Sequence, residues 1–204
     1  MSLLFLRPVL LAGLSLFLSF SVSASEKKPL LSGASTSMIV DTCAGCHGMN
    51  GVSNGPSIPT IAGNAPLYLI DMMEGYKSGE IPSTIMGRIA KGYSSEEIEQ
   101  MAKYFETQEF IKATGQIADA VKAKKGAKLH DKYCEKCHSE GGTLADDESG
   151  LLSGQWKAYL VSQLTDYTKG DREASKKMRK KLKKLVTKEG QDGIQALIEY
   201  YSSN

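Results

Sequence analysis

The sequence predicts an all-α protein of two tandem domains related by an internal repeat. Three observations carry this reading. The pattern Cys-x-x-Cys-His occurs twice, as Cys43-Ala44-Gly45-Cys46-His47 and Cys134-Glu135-Lys136-Cys137-His138, and uses all four cysteines. Other landmarks recur at the offset of 91 that separates Cys43 from Cys134: Gly63 answers to Gly154, Tyr68 to Tyr159, Tyr76 to Tyr167 and Gly79 to Gly170. Between the landmarks, apolar residues recur at helical spacing. A repeat of about 90 residues is too long for a solenoid and reads as tandem domains.

The pentapeptide is the pattern for covalent attachment of haem c. Two thiols must reach the two vinyl groups of one porphyrin, and the next residue must be an imidazole that turns under the ring to bind iron. The covalent attachment residues are therefore Cys43, Cys46, Cys134 and Cys137, with His47 and His138 as axial ligands. Zinc and disulfides are the alternatives. Zinc-binding cysteine pairs usually stand about 12–20 residues apart, whereas these stand 91 apart. Neither alternative explains a histidine after both pairs.

The chain has 204 residues, 41% hydrophobic, and a formal charge of +2. Residues 1–24 read as a signal peptide: Arg7 is the only charge, an apolar run extends from Val9 to Phe20, and Val22-Ser23-Ala24 offers small residues for cleavage. The run is short against the ~20 residues that span a bilayer, and no other stretch is long enough, so the expected product has no membrane span. Loss of Arg7 leaves a near-neutral chain, which argues against a nucleic-acid partner. Export suits haem attachment and places the protein in the periplasm.

The remaining order is domain one at 25–107, a linker at 108–118 and domain two at 119–204. In domain one, a short helix with Ile39 and Val40 as apolar positions leads into the first motif. Turn-formers from Gly48 to Pro56 make a loop. Asn64 is read as the cap of a helix with Pro66 in its first turn, Leu67, Ile70 and Met73 as its stripe, and Gly79 as its stop. A loop follows from Glu80 to Tyr93. Ser94-Ser95-Glu96-Glu97 is a capping box opening a last helix with Ile98, Met101, Ala102 and Phe105 on one face. That helix recurs as Ile194, Leu197, Tyr200 and Tyr201, at an offset of 96. Residues 122–132 lead into the second motif. Domains of this size bury a modest core, so each is expected to fold poorly without its haem.

The second axial ligand is assigned to methionine, whose thioether raises the potential. Met178 is the only methionine after Met101 and lies 40 residues past His138. Met86 lies 39 residues past His47 and matches it. Met49 is too close to His47, while Met72, Met73 and Met101 fall on helix faces where methionine is core filling. With both iron faces occupied there is no site for peroxide, which argues against a diheme peroxidase.

Pro59 is placed to present the preceding backbone carbonyl to the His47 ring N–H. Its counterpart in domain two is Gly150. His130, the only histidine outside the motifs, reads as a surface or hydrogen-bonded residue. Arg88, Lys91, Tyr68, Tyr159 and Trp156 are open between contact with haem and ordinary packing. Residues 171–189 hold nine basic and three acidic residues around an apolar stripe of Met178, Leu182 and Leu185. This run is either a solvated face or a docking patch for an acidic redox partner.

The doubled motif resembles the diheme class I cytochromes c, which implies a fold of two tandem class I cytochrome c domains packed about a pseudo-twofold axis. The run Ser83-Thr84-Ile85-Met86-Gly87-Arg88-Ile89-Ala90-Lys91-Gly92-Tyr93-Ser94 and the run Gly126 to His138 resemble the cytochrome subunit of flavocytochrome c sulfide dehydrogenase. Met72 to Glu80 and Gly154-Gln155-Trp156 do so too. The resemblance implies two covalent haem c groups, ligated by His47 with Met86 and by His138 with Met178. It also implies an FAD-containing flavoprotein subunit as partner in a heterodimer, sulfide as electron source and a small soluble cytochrome c as acceptor. No Gly-x-Gly-x-x-Gly fingerprint occurs here, so FAD belongs to the other polypeptide. The chain has no catalytic residues of its own, and whether it counts as an enzyme rests on that complex. A free-standing diheme cytochrome c serving a terminal oxidase is the alternative.

Overall fold

The computed structural model describes residues 33–203. The signal peptide expected at 1–24 lies outside them. Helix α1, Thr36–His47, starts where Ser35 Oγ accepts from Met38 N at 3.3 Å and buries Ile39 and Val40. Gly48 ends it at φ +73°, where a Cβ would stand 1.8 Å from the Val52 carbonyl oxygen. No other residue fits that turn.

Helix α2, Pro66–Ser78, ends at Gly79 in the left-handed region, as the sequence implies. Two expectations about its start fail. Ala65 holds the cap position without a side-chain bond, because the Asn64 side chain is used elsewhere. Leu67 is exposed and Leu69 buried: at ~100° per residue they lie about 160° apart, so the helix turns Leu69, with Met73 beside it, toward the core. The expected loop before Ser94 also contains a short helix, α3, Met86–Ile89, and a 3₁₀ turn, Ala90–Gly92.

Helix α4, Ser95–Glu106, opens on the expected capping box: Glu97 N donates to Ser94 Oγ at 3.2 Å, and Ser94 N to Glu97 Oε2 at 2.8 Å. Its buried face, Ile98, Met101, Ala102 and Phe105, joins Ile39, Val40, Leu69 and Tyr93 in the first core. Each fully buried residue of Ile or Phe size contributes about 1.5–3 kcal/mol.

The second half begins with α5, Ala120–Tyr133, capped by Asp119, which accepts from Val121 N and Lys122 N. A single distorted turn, α6, Ser139–Gly142, follows the second motif. Helix α7, Lys157–Lys169, matches α2 in length and in its terminal glycine, Gly170. Helix α8, Lys176–Ser203, runs through the basic segment and the last expected helix, broken only at Gly190 (φ +64°). Leu129, Tyr133, Leu160, Leu185, Leu197 and Tyr201 form the second core with their neighbours. Among the described residues there are helices and turns but no β-strand beyond one isolated bridge between Asp146 and Ser149.

Backbone hydrogen bonds reproduce the repeat. Ile61 N and Ala62 N donate to the Gly51 carbonyl, and Leu152 N and Ser153 N to the Gly142 carbonyl. Gly63 N donates to Phe105 O, and Gly154 N to Tyr201 O, each at 2.8 Å. The two halves then meet in reciprocal contacts. Leu151 N donates to Asn64 Oδ1 at 3.0 Å, and Thr60 N donates to Gln155 Oε1 at 3.0 Å. Asn64 and Gln155 are equivalent positions, as are Thr60 and Leu151. The same contact is thus made twice with the halves exchanged, which is the rule of a two-fold interface. Gln155 Nε2 also donates to Thr60 O at 2.7 Å, and Trp156 Nε1 to Ser53 O at 3.0 Å.

Candidate haem-attachment sites

The first motif ends α1. Cys43 is half-buried, with its sulfur 4.0 Å from Met101 Sδ, and Cys46 is exposed. His47 is buried, and its Nδ1 donates to the Pro59 carbonyl at 2.9 Å. The acceptor is therefore Pro59's own carbonyl and not the preceding one. A carbonyl can only accept, so the proton sits on Nδ1 and the lone pair on Nε2, the atom free to bind a metal. Burial holds the imidazole below its ordinary pKa, against the opposing effect of the Pro59 bond. The ring is neutral near pH 7, as ligation requires.

The second motif follows α5 as a turn, in which Cys137 N and His138 N both donate to Cys134 O at 3.0 Å. Cys134 is half-buried and Cys137 exposed, as in the first half. His138 also has a lowered pKa, mainly from burial, with His130 adding to the effect and Asp146 opposing it. Its Nδ1 is buried with no protein partner among the described residues, so Gly150 does not supply the carbonyl that Pro59 supplies.

His130 is fully buried and bonded at both nitrogens: Nδ1 to the Tyr201 hydroxyl at 2.9 Å, and Nε2 to Glu135 Oε2 at 2.5 Å. Glu135, inside the motif, also accepts from Glu140 N and Gly141 N at 3.0 and 3.1 Å. It therefore ties the turn after His138 to α5. The sequence signal for this pair was a lone histidine five residues before a motif glutamate.

The donor set in each half fits a covalent haem: two thiols in one turn, then an imidazole, buried at His47 and half-buried at His138. Among the described residues no three His, Cys, Asp or Glu side chains are gathered to hold a metal ion by themselves, so the cysteine pairs do not converge into a zinc centre.

Met86 is half-buried at the start of α3, which packs on α2. Met178 is half-buried in the first turn of α8 against the second core. The other candidates are otherwise engaged. Met101 is core, Met73 packs on it, Met72 Sδ accepts from the Arg172 guanidinium at 2.9 Å, and Met49 is exposed. Arg88 and Lys91 are exposed, and Tyr68 packs over Gly150 of the other half. The lysines of the basic run face outward from α8, while Leu182 and Leu185 are buried. Arg172 departs from the run: it is 7% exposed, because the left-handed turn at Gly170 sends it into the seam.

No family model matches the chain. It is 32% identical over 152 residues to cytochrome c4 of Stutzerimonas stutzeri, covering 65% of this chain and 70% of that protein. It is 48% identical over 64 residues to the cytochrome subunit of sulfide dehydrogenase of Chlorobaculum tepidum, covering 31% of this chain and 57% of that protein. The structure of reduced recombinant cytochrome c4 from Pseudomonas stutzeri superposes with a TM-score of 0.68 at 26% identity, covering 83% of this chain and 98% of that one. The doubled attachment motif, the repeated hydrogen bonds and this likeness agree: the chain belongs to the diheme class I cytochromes c of the cytochrome c4 kind.

Proposed function

We propose that this chain is a periplasmic diheme electron-transfer subunit that accepts electrons from an FAD-containing sulfide dehydrogenase subunit and passes them to a soluble carrier. The observation that carries the sulfide reading is the 48% identical stretch shared with the sulfide dehydrogenase cytochrome subunit. The longer similarity to cytochrome c4 favours a second reading, a free-standing diheme carrier.

In both readings Cys43 and Cys46 hold one haem and Cys134 and Cys137 the other. When bound, each supplies a one-electron iron couple. His47 presents Nε2 because Pro59 occupies Nδ1. Met86 and Met178 would hold the iron as its methionine ligands; the engagement of Met72, Met73 and Met101 elsewhere supports Met86. Met86→Leu is expected to lower the potential of one haem and Met178→Leu that of the other. An unaltered spectrum would refute the assignment.

The partner is tested by purification from the native periplasm. Flavin absorbance that co-elutes with haem, and reduction of both haems by sulfide, are expected. A lone diheme protein inert to sulfide would favour the free carrier.

A further inference from the structure

Arg172 is the only buried cation among the described residues that makes no ion pair. Its guanidinium donates to Gln163 Oε1 of α7 and to Met72 Sδ of α2, and it stacks on the Tyr167 ring at 4.9 Å. No carboxylate of the described residues lies within 4.0 Å of it. An amide oxygen and a thioether are neutral acceptors, and burying a charge among neutral groups is costly unless an anion completes the site. The repeat offers no second such group: Ile81 stands at the equivalent position after Gly79.

Around this cation stand Tyr68 and Tyr76 from α2 and their counterparts Tyr159 and Tyr167 from α7, all within its electrostatic reach. None of the four hydroxyls is hydrogen-bonded to another described residue. Desolvation pushes the Tyr68 hydroxyl up to about 12, so it remains an O–H donor. One fork of N–H donors from the second half and four phenols, two from each half, form a site for carboxylates. The two-fold arrangement calls for a carboxylate from each half, and the described residues supply none. Haem carries propionate carboxylates.

We propose that Arg172, ringed by Tyr68, Tyr76, Tyr159 and Tyr167, is a shared anchor for carboxylates of both haems and sets both potentials. This rests on the haem assignment above. A fixed positive charge disfavours the ferric state, which carries one more charge, so it raises each potential.

The test uses the full chain matured with haem. Haem content per chain, thermal unfolding and both midpoint potentials are measured for the wild type, Arg172→Gln and Arg172→Lys. With two haems attached, Arg172→Gln is expected to lower both potentials by at least a tenfold change in the one-electron equilibrium, about 59 mV. Arg172→Lys keeps the charge and is expected to retain most of the wild-type value. If Arg172→Gln does not fold, the Tyr68→Phe, Tyr159→Phe double variant removes two donors and should move both potentials down by less. Unmoved potentials in a folded, doubly loaded Arg172→Gln protein would overturn the inference alone, and a shift confined to one haem would overturn the sharing. A wild type carrying fewer than two haems would overturn the haem assignment as well.

Discussion

Ile39 and Ala44 of the first half stand where His130 and Glu135 stand in the second. The first of each pair stands four residues before an attachment motif and the second inside it, and Ile39 and His130 are equally buried. In the first half the space is filled by hydrocarbon and α1 continues helical through His47. In the second the helix stops at Tyr133, and Glu135 folds back to His130 and onward to the turn after His138. The histidines themselves differ in turn. His47 is oriented by Pro59, whereas His138 meets no such carbonyl among the described residues and instead lies in a turn secured by Glu135. One architecture thus holds two similar donor sets by different means, packing on one side and a polar network on the other. Such a network stabilises only while every member is satisfied.

The largest effect is expected where the second half is most closely packed. Gly126 of α5 faces α8, and a Cβ there would stand 2.0 Å from Ala196 O and 2.6 Å from Tyr200 Cβ. Gly126→Ala should cost about 3 kcal/mol or more, read by denaturant unfolding. The equivalent Ser35 is exposed, and Ser35→Ala should lose only a cap, about 1 kcal/mol. Equal losses would remove this asymmetry.

Next comes the polar network. His130→Ile removes the ring that joins the Tyr201 hydroxyl to Glu135, leaving Glu135 only its bonds from Glu140 N and Gly141 N, and should cost about 2–3 kcal/mol. Adding Glu135→Ala recreates the first half's pair, and part of the loss should return. A double variant no better than the sum of the two single ones would show that the groups do not act as a unit.

The final helices differ in the same sense. Lys103 of α4 makes an exposed pair with Glu99, while its counterpart Glu199 is buried and accepts from Lys157 Nζ at 2.7 Å, Asp119 N and Gln195 Nε2. Burial pushes the Glu199 carboxyl up, but these bonds outweigh it and hold its pKa below the ordinary value. A depressed folded pKa adds stability above the unfolded value near 4.5, and that stability is lost as pH falls through the folded value. Glu199→Gln should therefore cost about 2 kcal/mol at pH 7 and should flatten the acid limb of the melting curve. A variant that loses stability in parallel with the wild type below pH 4.5 would remove Glu199 from the explanation.

The seam supplies the smallest effect and the sharpest symmetry. Asn64→Ala and Gln155→Ala each remove a buried contact between the halves and should cost about 1 kcal/mol. Across the seam Gln155 bonds both backbone groups of Thr60, whereas Asn64 bonds Leu151 N alone there and spends its Nδ2 on Ile61 O and Ala62 O of its own half, so Gln155→Ala should weaken the contact between the halves more. The reverse order in chemical unfolding would contradict the reading.

Much of this was legible before any coordinates. Attachment spacing is set by covalent chemistry, and helix ends at Gly79, Gly170 and Ser94 are set by local backbone geometry. Both are short-range properties that one stretch of chain carries whole. Asn64 shows where that stops: local rules make it a helix cap, yet Ala65 holds the cap and the Asn64 side chain is drawn across the seam to Leu151. Leu67 was misread because a stripe gives a period without saying which way the helix is turned. Arg172 looked like one more charge in a basic run, and only the chain reversal at Gly170 sends it inward.

The sequence by itself determined a duplicated helical protein with two haem-attachment motifs, because repeats, thiol spacing and caps are written in neighbouring residues. Tertiary structure alone decided that His130 and Glu135 brace the second motif, that Asn64 and Gln155 exchange contacts across a two-fold seam, and that Arg172 is buried among four tyrosines. Each of those depends on a partner far away in the chain, Tyr201 for His130 at 71 residues, Leu151 for Asn64 at 87 and Met72 for Arg172 at 100, which only packing brings together.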